Sequence, residues 1–143
     1  MSFSKSDSAG YLANHMARLF AAGLQKRIAP LGLAPAQFMV LLELWQQDGQ
    51  TQSELTGKLD VEQATMANTL RRMERDSLID RRPSEQDRRA RLVCLTHKAR
   101  ILQRDATTAA QEQNKAALAP LSEAEQRALL DMMQRVIKTM QRR

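Results

Sequence analysis

Ala64, Thr65, Asn68, Arg71, Arg72 and Arg75 recur at intervals of three and four residues, so a helix that contains them lines them up along one arc. The groups on that arc can read or grip a nucleic-acid duplex. An amide pairs with an adenine edge, threonine offers a hydroxyl and a methyl to thymine, and a guanidinium pairs with guanine. Gln63 lies with Ala64, Thr65 and Asn68 in the N-terminal half, the end of such a helix that reaches base edges. Ser53, Arg71 and Arg75 have the chemistry of phosphate anchors, which set register without carrying sequence information, and Arg72 suits either a base or a phosphate. A solvated face would draw on the usual Glu and Lys instead. A second cationic cluster, Arg88, Arg89 and Arg91 beside Asp87, is an expensive way to make a soluble loop tip, and arginine is drawn to the negative potential of a narrow minor groove.

Two short helices joined by a tight turn would present the arc. Thr51-Gln52-Ser53-Glu54 is a capping-box pattern, in which hydroxyl and carboxylate satisfy each other's free backbone donors, and it opens a helix carrying Leu55 and Leu59. Beyond a turn at Asp60, Met66, Leu70 and Met73 form an inward stripe opposite the polar arc. From Leu78 the pattern changes to short strands, 78–82 and 91–95, around a polar tip at 83–89 that carries Asp87, Arg88 and Arg89. This hairpin is a wing.

Longer helices flank this middle. Behind a polar, frayed start over residues 1–8, Leu12, Met16, Leu19, Phe20, Leu24 and Ile28 predict a helix that stops before Pro30. Pro35 suits a first helical position, and Phe38, Leu41, Leu42 and Trp45 predict an inward face ended by Asp48-Gly49. Thr96 caps an alanine-rich helix to about Leu118; after Pro120, Ser122-Glu123-Ala124-Glu125 opens another, with Leu129, Met133, Val136, Ile137 and Met140 in line. The expected fold is mainly α with a small β-hairpin wing. A winged helix-turn-helix domain over 34–96 is flanked by dimerisation helices at 1–33 and 97–143. Long helices with a single apolar stripe need a covering surface, and a second copy of the chain supplies one while pairing the recognition helices.

At 143 residues the chain has room for one core and no separate enzyme domain. Aromatics make up only 3%, which argues against stacking platforms for single strands and leaves duplex as the target. The formal charge is +6, and residues 71–100 alone hold ten Lys/Arg against five Asp/Glu, so the excess is focused where phosphates would lie. Cys94 is the only cysteine and sits in the apolar run Leu92-Val93-Cys94-Leu95, where inert packing is favoured over redox sensing. No apolar run approaches the ~20 residues of a membrane span, and a cytoplasmic location is expected. His15 and His97 stand apart, and no metal-ligand spacing, phosphate-cradling glycine loop or nucleophile elbow is present, so neither catalysis, a metal nor a cofactor is expected.

The motifs taken together resemble the MarR family of bacterial transcription regulators over nearly the whole chain. Asp87-Arg88-Arg89-Ala90-Arg91-Leu92-Val93-Cys94-Leu95-Thr96 is similar to the family's D-x-R-x-x-x-V-x-L-T signature, and Thr51 to Leu55 with Leu70 to Arg75 resembles its helix-turn-helix. The resemblance implies a homodimeric winged helix bound to a palindromic operator in double-stranded DNA. Its recognition helices would enter the major groove, Arg89 the flanking minor groove, and Asp87 would orient the wing. It further implies repression relieved by a small-molecule effector, often a phenolic or aromatic carboxylate, held where the terminal helices meet the winged domain. Ser77 stands where the family often has glycine, and Ala34 and Glu62 stand where better helix caps are usual. Two other readings share these features in part: a nonspecific architectural DNA binder, which would not need Asn, Thr and Gln on the arc, and a winged helix that binds protein.

Overall fold

The computed structural model describes residues 2–141; Met1, Arg142 and Arg143, at the outer ends of the flanking segments, lie outside them. Six helices and one hairpin follow in order: α1 (Ala9–Ile28), α2 (Pro35–Gln46), α3 (Gln52–Leu59), α4 (Gln63–Arg75), β1 (Ile79–Pro83), β2 (Arg91–Leu95), α5 (His97–Leu118) and α6 (Glu123–Gln141). The polar start is more ordered than its composition implies. A 3-10 turn spans Lys5–Asp7, and Ser8 caps α1 by accepting from the Tyr11 N–H.

Local chemistry explains most boundaries. Pro30 lies in a 3-10 turn after α1, and Gly32 closes it at φ 78°, a left-handed position that a side chain disfavours. The Thr51 Oγ1 accepts from the Glu54 N–H at 3.1 Å while the Glu54 carboxylate accepts from the Thr51 N–H at 3.2 Å. Thr96 caps α5 by accepting from the Ala99 N–H alone, and Ser122 with Glu125 forms the second reciprocal pair ahead of α6. Ala34 has no side-chain acceptor, and its own N–H is taken by the Gln37 Oε1 at 3.1 Å, so that end of α2 does depend on a neighbour.

The core gathers Ile28 from α1, Phe38, Val40, Leu41 and Leu44 from α2, Leu55 from α3, and Met66, Leu70 and Met73 from α4. Ile79, Val93 and Leu95 of the wing join it, and the buried residues of α5 are Ala99, Ala106 and Ala109, small residues that let its backbone approach, with Leu102 half-buried beside them. Each fully buried Leu, Ile or Met contributes roughly 1.5–3 kcal/mol relative to exposure. The expected inward face of α2 needs one correction: Leu42 is 39% exposed, and Trp45 is only half-buried. Val40 and Leu44 take the inward positions instead, because α2 is packed from both the α3/α4 side and the α5 side and its buried face is rotated accordingly.

Polar side chains tie the elements together across long sequence separations. Gln50 is fully buried; its Nε2 donates to the Glu43 and Gln47 carbonyls, its Oε1 accepts from Lys58, and its backbone pairs with Val93 as a short third rung beside the hairpin. Asp48 accepts from the Leu95 N–H and from Arg100, fixing β2 against the start of α5. Gln37 donates to Asp76 at 3.0 Å, joining the start of α2 to the end of α4.

Ser77 has φ 61°, as its glycine-preferring position implied, and its carbonyl accepts from the Thr96 Oγ1 at 2.7 Å. The left-handed cost to a side chain is about 1–2 kcal/mol, partly offset by glycine's greater freedom when unfolded. Ser77→Gly should therefore raise stability by about 1 kcal/mol in urea denaturation; a loss of stability would contradict the strain. Asp76 titrates below the ordinary carboxylate range, first because Arg75 donates to it and then because Gln37 does, against a smaller opposing effect of burial. A lowered folded pKa adds stability that is complete above the unfolded value and is lost as pH falls through the folded one. Asp76→Asn should accordingly flatten the acid limb of stability against pH below about 4, and an unchanged limb would remove Asp76 from it.

Candidate nucleic-acid interface

The recognition arc exists because one side of α4 is committed to the core. Met66, Leu70 and Met73 are buried to 1% exposure or less, which turns Ala64, Thr65, Asn68, Arg71, Arg72 and Arg75 outward, and all six are exposed. Gln63 is the first residue of α4 and accepts from Gln52 of α3 at 3.5 Å, a link across the turn between the two helices. That turn is made at Asp60, which adopts φ 52° and caps α3 in the left-handed region. Ser53 is exposed in the first turn of α3.

The exposed groups are partly pre-arranged. The Arg71 Nη2 donates to the Asn68 Oδ1 at 2.6 Å, which holds the amide in one orientation and leaves its Nδ2 hydrogens outward. Arg75 pairs with Asp76 at 3.1 Å, a contact a phosphate would have to share. Arg72 has no ion-pair partner among the described residues. Glu62 precedes α4 without a side-chain cap, so the free N–H groups at this helix start face outward unclaimed by it.

The wing is an antiparallel pair with Ile79 opposite Leu95 and Pro83 opposite Arg91. Its base is anchored to the recognition helix by Arg81, which donates to Glu74 at 2.6 Å, so Arg81 is spent on structure. At the tip, the Asp87 Oδ1 accepts from the Arg89 N–H at 3.0 Å and the Asp87 carbonyl accepts from the Ala90 N–H at 3.0 Å. Ser84 Oγ accepts from the backbone of Gln86 and Asp87. The carboxylate thus shapes the turn on which Arg88 and Arg89 stand. Arg88, Arg89 and Arg91 are exposed and free of ion pairs among the described residues.

Cys94 packs on the wing at 9% exposure, and burial pushes its thiol up, with the Asp48 carboxylate acting in the same direction. A raised thiol is a poor nucleophile, which favours packing over sensing. Behind the winged region, α1, α2 and α5 border a solvent-open cavity of about 610 Å³ whose walls include Phe20, Leu24, Phe38, Met39 and Leu42. Sequence periodicity did not reveal it; the signal that could have done so is Leu42, an apolar residue of α2 that faces the cavity instead of the core.

Outside the winged region the helices are bare on one side. Leu12 and Leu19 of α1 and Leu130, Met132, Val136, Ile137 and Met140 of α6 are exposed, Leu19 by 60% and Met140 by 68%. Among the described residues, no single helix is long and apolar enough to cross a membrane.

The sequence model of the MarR family matches residues 33–90, from the start of α2 through the wing tip. A helix-turn-helix-type transcriptional regulator of Bacillus subtilis (strain 168) is 37% identical over 86 residues, 60% of this chain. The alignments span 62% and 52% of the curated relatives' own length, less than two thirds. Among solved structures, a transcriptional regulator is 32% identical with a TM-score of 0.81, covering 95% of this chain and all of its own. The transcriptional repressor CouR, bound to a 23-mer DNA duplex, is 26% identical with a TM-score of 0.84 and covers 96% of this chain and 99% of its own. From the match over the helix-turn-helix and wing, and the likeness along the full length, the chain belongs to the MarR family of transcriptional regulators.

Proposed function

We propose that the protein is a homodimeric, sequence-specific repressor of a palindromic operator, released by a small-molecule effector. The observation that carries this reading is the joint exposure, on one chain, of an amide, hydroxyl and guanidinium arc on α4 and unpaired arginines at the wing tip. On this reading Gln63, Ala64, Thr65 and Asn68 meet base edges, Arg72 a base or phosphate, and Ser53, Arg71 and Arg75 the backbone. Arg88, Arg89 and Arg91 follow the minor groove, with Asp87 holding the tip. Residues 34–96 act as the DNA-binding unit, and 1–33 with 97–143 as the dimerisation unit.

The bare apolar stripes of α1 and α6 support the dimer, since exposed apolar surface on long helices is stabilised by burial against a partner. A two-fold dimer would set its recognition helices about one DNA turn apart, roughly 34 Å. Repression then follows from occupancy. Of proteins sharing this fold, one is bound to p-coumaroyl-CoA and another has its DNA binding regulated by 6-hydroxynicotinic acid, which supports a phenolic or aromatic carboxylate effector as the starting expectation. The cavity among α1, α2 and α5 is its natural seat, because a ligand there touches both the dimerisation helices and α2. It can shift the lobes only by its difference in affinity between their arrangements.

Selection of bound sequences from random duplex DNA should return a palindrome. Retention without sequence preference at matched salt would replace the repressor with the architectural reading. Arg89→Ala should weaken operator binding by about 1–3 kcal/mol with the dimer intact, whereas Asn68→Ala should relax preference at one base position per half-site. Val136→Glu, on the open face of α6, should yield a monomer by sedimentation and abolish tight operator binding; a dimer of unchanged strength would remove α6 from the interface.

A further inference from the structure

The geometry points to an uncharged ligand for the cavity among α1, α2 and α5, an apolar body bearing a hydrogen-bond acceptor that docks on the Gln113 amide. This rests on the effector reading and narrows it, against the anionic half of the phenolic or carboxylate expectation.

Among the described residues, the cavity walls carry no Lys, Arg or His, and their polar side chains are the hydroxyl of Thr107 and the amides of Gln111, Gln113 and Asn114. A carboxylate moved from water onto such a surface loses hydration and finds no opposite charge. Arg27 is the cation nearest in connection, and it is already engaged: its Nε donates to the Gln113 Oε1 at 3.0 Å and its Nη1 faces Glu112 at 3.8 Å. Glu112 offsets its charge, and the chain's positive excess lies elsewhere, on α4 and the wing.

That same contact orients the amide. Arginine only donates, so Oε1 must be the atom turned to Arg27 and Nε2 the atom turned away. No acceptor among the described residues takes the Nε2 hydrogens. Gly23 makes room for this placement: a β-carbon there would lie within 2.6 Å of the Gln113 Cδ, so the amide rests flat on the bare backbone of α1. A glycine in the interior of a long helix is unfavourable by propensity, and here it admits a side chain that lines a cavity. The result is a fixed donor, with apolar walls beside it, suited to a neutral carbonyl, an ether or a protonated phenol. Arg27 is a positioning residue for that donor.

An isosteric pair, 4-tert-butylbenzamide and 4-tert-butylbenzoate, tests the inference on the full chain by calorimetry, with the fluorescence of Trp45 as a second readout, since Trp45 packs edge-to-face on Phe38 of the cavity wall at 6.0 Å. The amide should bind at least about tenfold more tightly than the carboxylate. Gln113→Met should remove most of that margin. Gly23→Ala, which displaces the amide while leaving the apolar wall intact, should do the same, and Arg27→Leu should weaken the amide ligand severalfold. Equal or tighter binding of the benzoate overturns the inference, as does binding of neither compound, or a preference that survives both Gln113→Met and Gly23→Ala. Operator binding measured on the same samples separates the two readings. A benzoate that binds better and releases DNA leaves the effector reading standing without this one, while amide preference in a protein indifferent to duplex does the reverse.

Discussion

Burial of Met66, Leu70 and Met73 is the constraint from which the surface chemistry follows. A helix has one orientation in which three large apolar side chains all leave water, and rotating it by a quarter turn would expose them at a cost of several kcal/mol. With that face fixed, the polar residues at the complementary positions have no choice but to point outward. Specific recognition needs side chains held in a defined register, and here the register is enforced from the opposite side of the helix.

Two polar ties act on the C-terminal end of the same helix, and a third holds the wing to α5. Gln37 reaches from the start of α2 to Asp76, Arg81 of the wing grips Glu74, and Asp48 holds β2 to α5. Single surface pairs contribute little to stability, but each of these fixes the angle of one element against another. Gln37 also caps α2 within a few residues of Pro35 and Met39 on the cavity wall. A displacement of α2 therefore has a hydrogen-bonded route to the end of the recognition helix, where Arg75 shares the Asp76 carboxylate.

The flanking helices obey a different rule. α5 packs through alanines and Leu102 and leaves the space that becomes the cavity, while none of the described residues of α6 is fully buried. The basic middle carries a saturated core, and the ends carry apolar surface still in water. In the proposed dimer, that division puts the α4 arc and wing on the part of each chain with a filled core and leaves the geometry between the two chains to the flanking helices.

Capping boxes, prolines, the alternation of the wing and the stripe of α4 were all legible in the amino-acid order, because each arises from interactions within four residues or from a strict period. The strain at Ser77 came from the family resemblance, which often has glycine at that position. The full family resemblance also added the roles proposed for Asp87 and Arg89, which no periodicity supplies. What only the tertiary structure decided lies between distant residues: Gln37 with Asp76, 39 positions apart, and Arg27 with Gln113, 86 apart. It also decided which side of α2 meets the core and that Leu42 meets a cavity. A helix's apolar residues state that it will pack; which neighbours it packs against, and what space they leave, depends on the three-dimensional meeting of surfaces far apart in the chain.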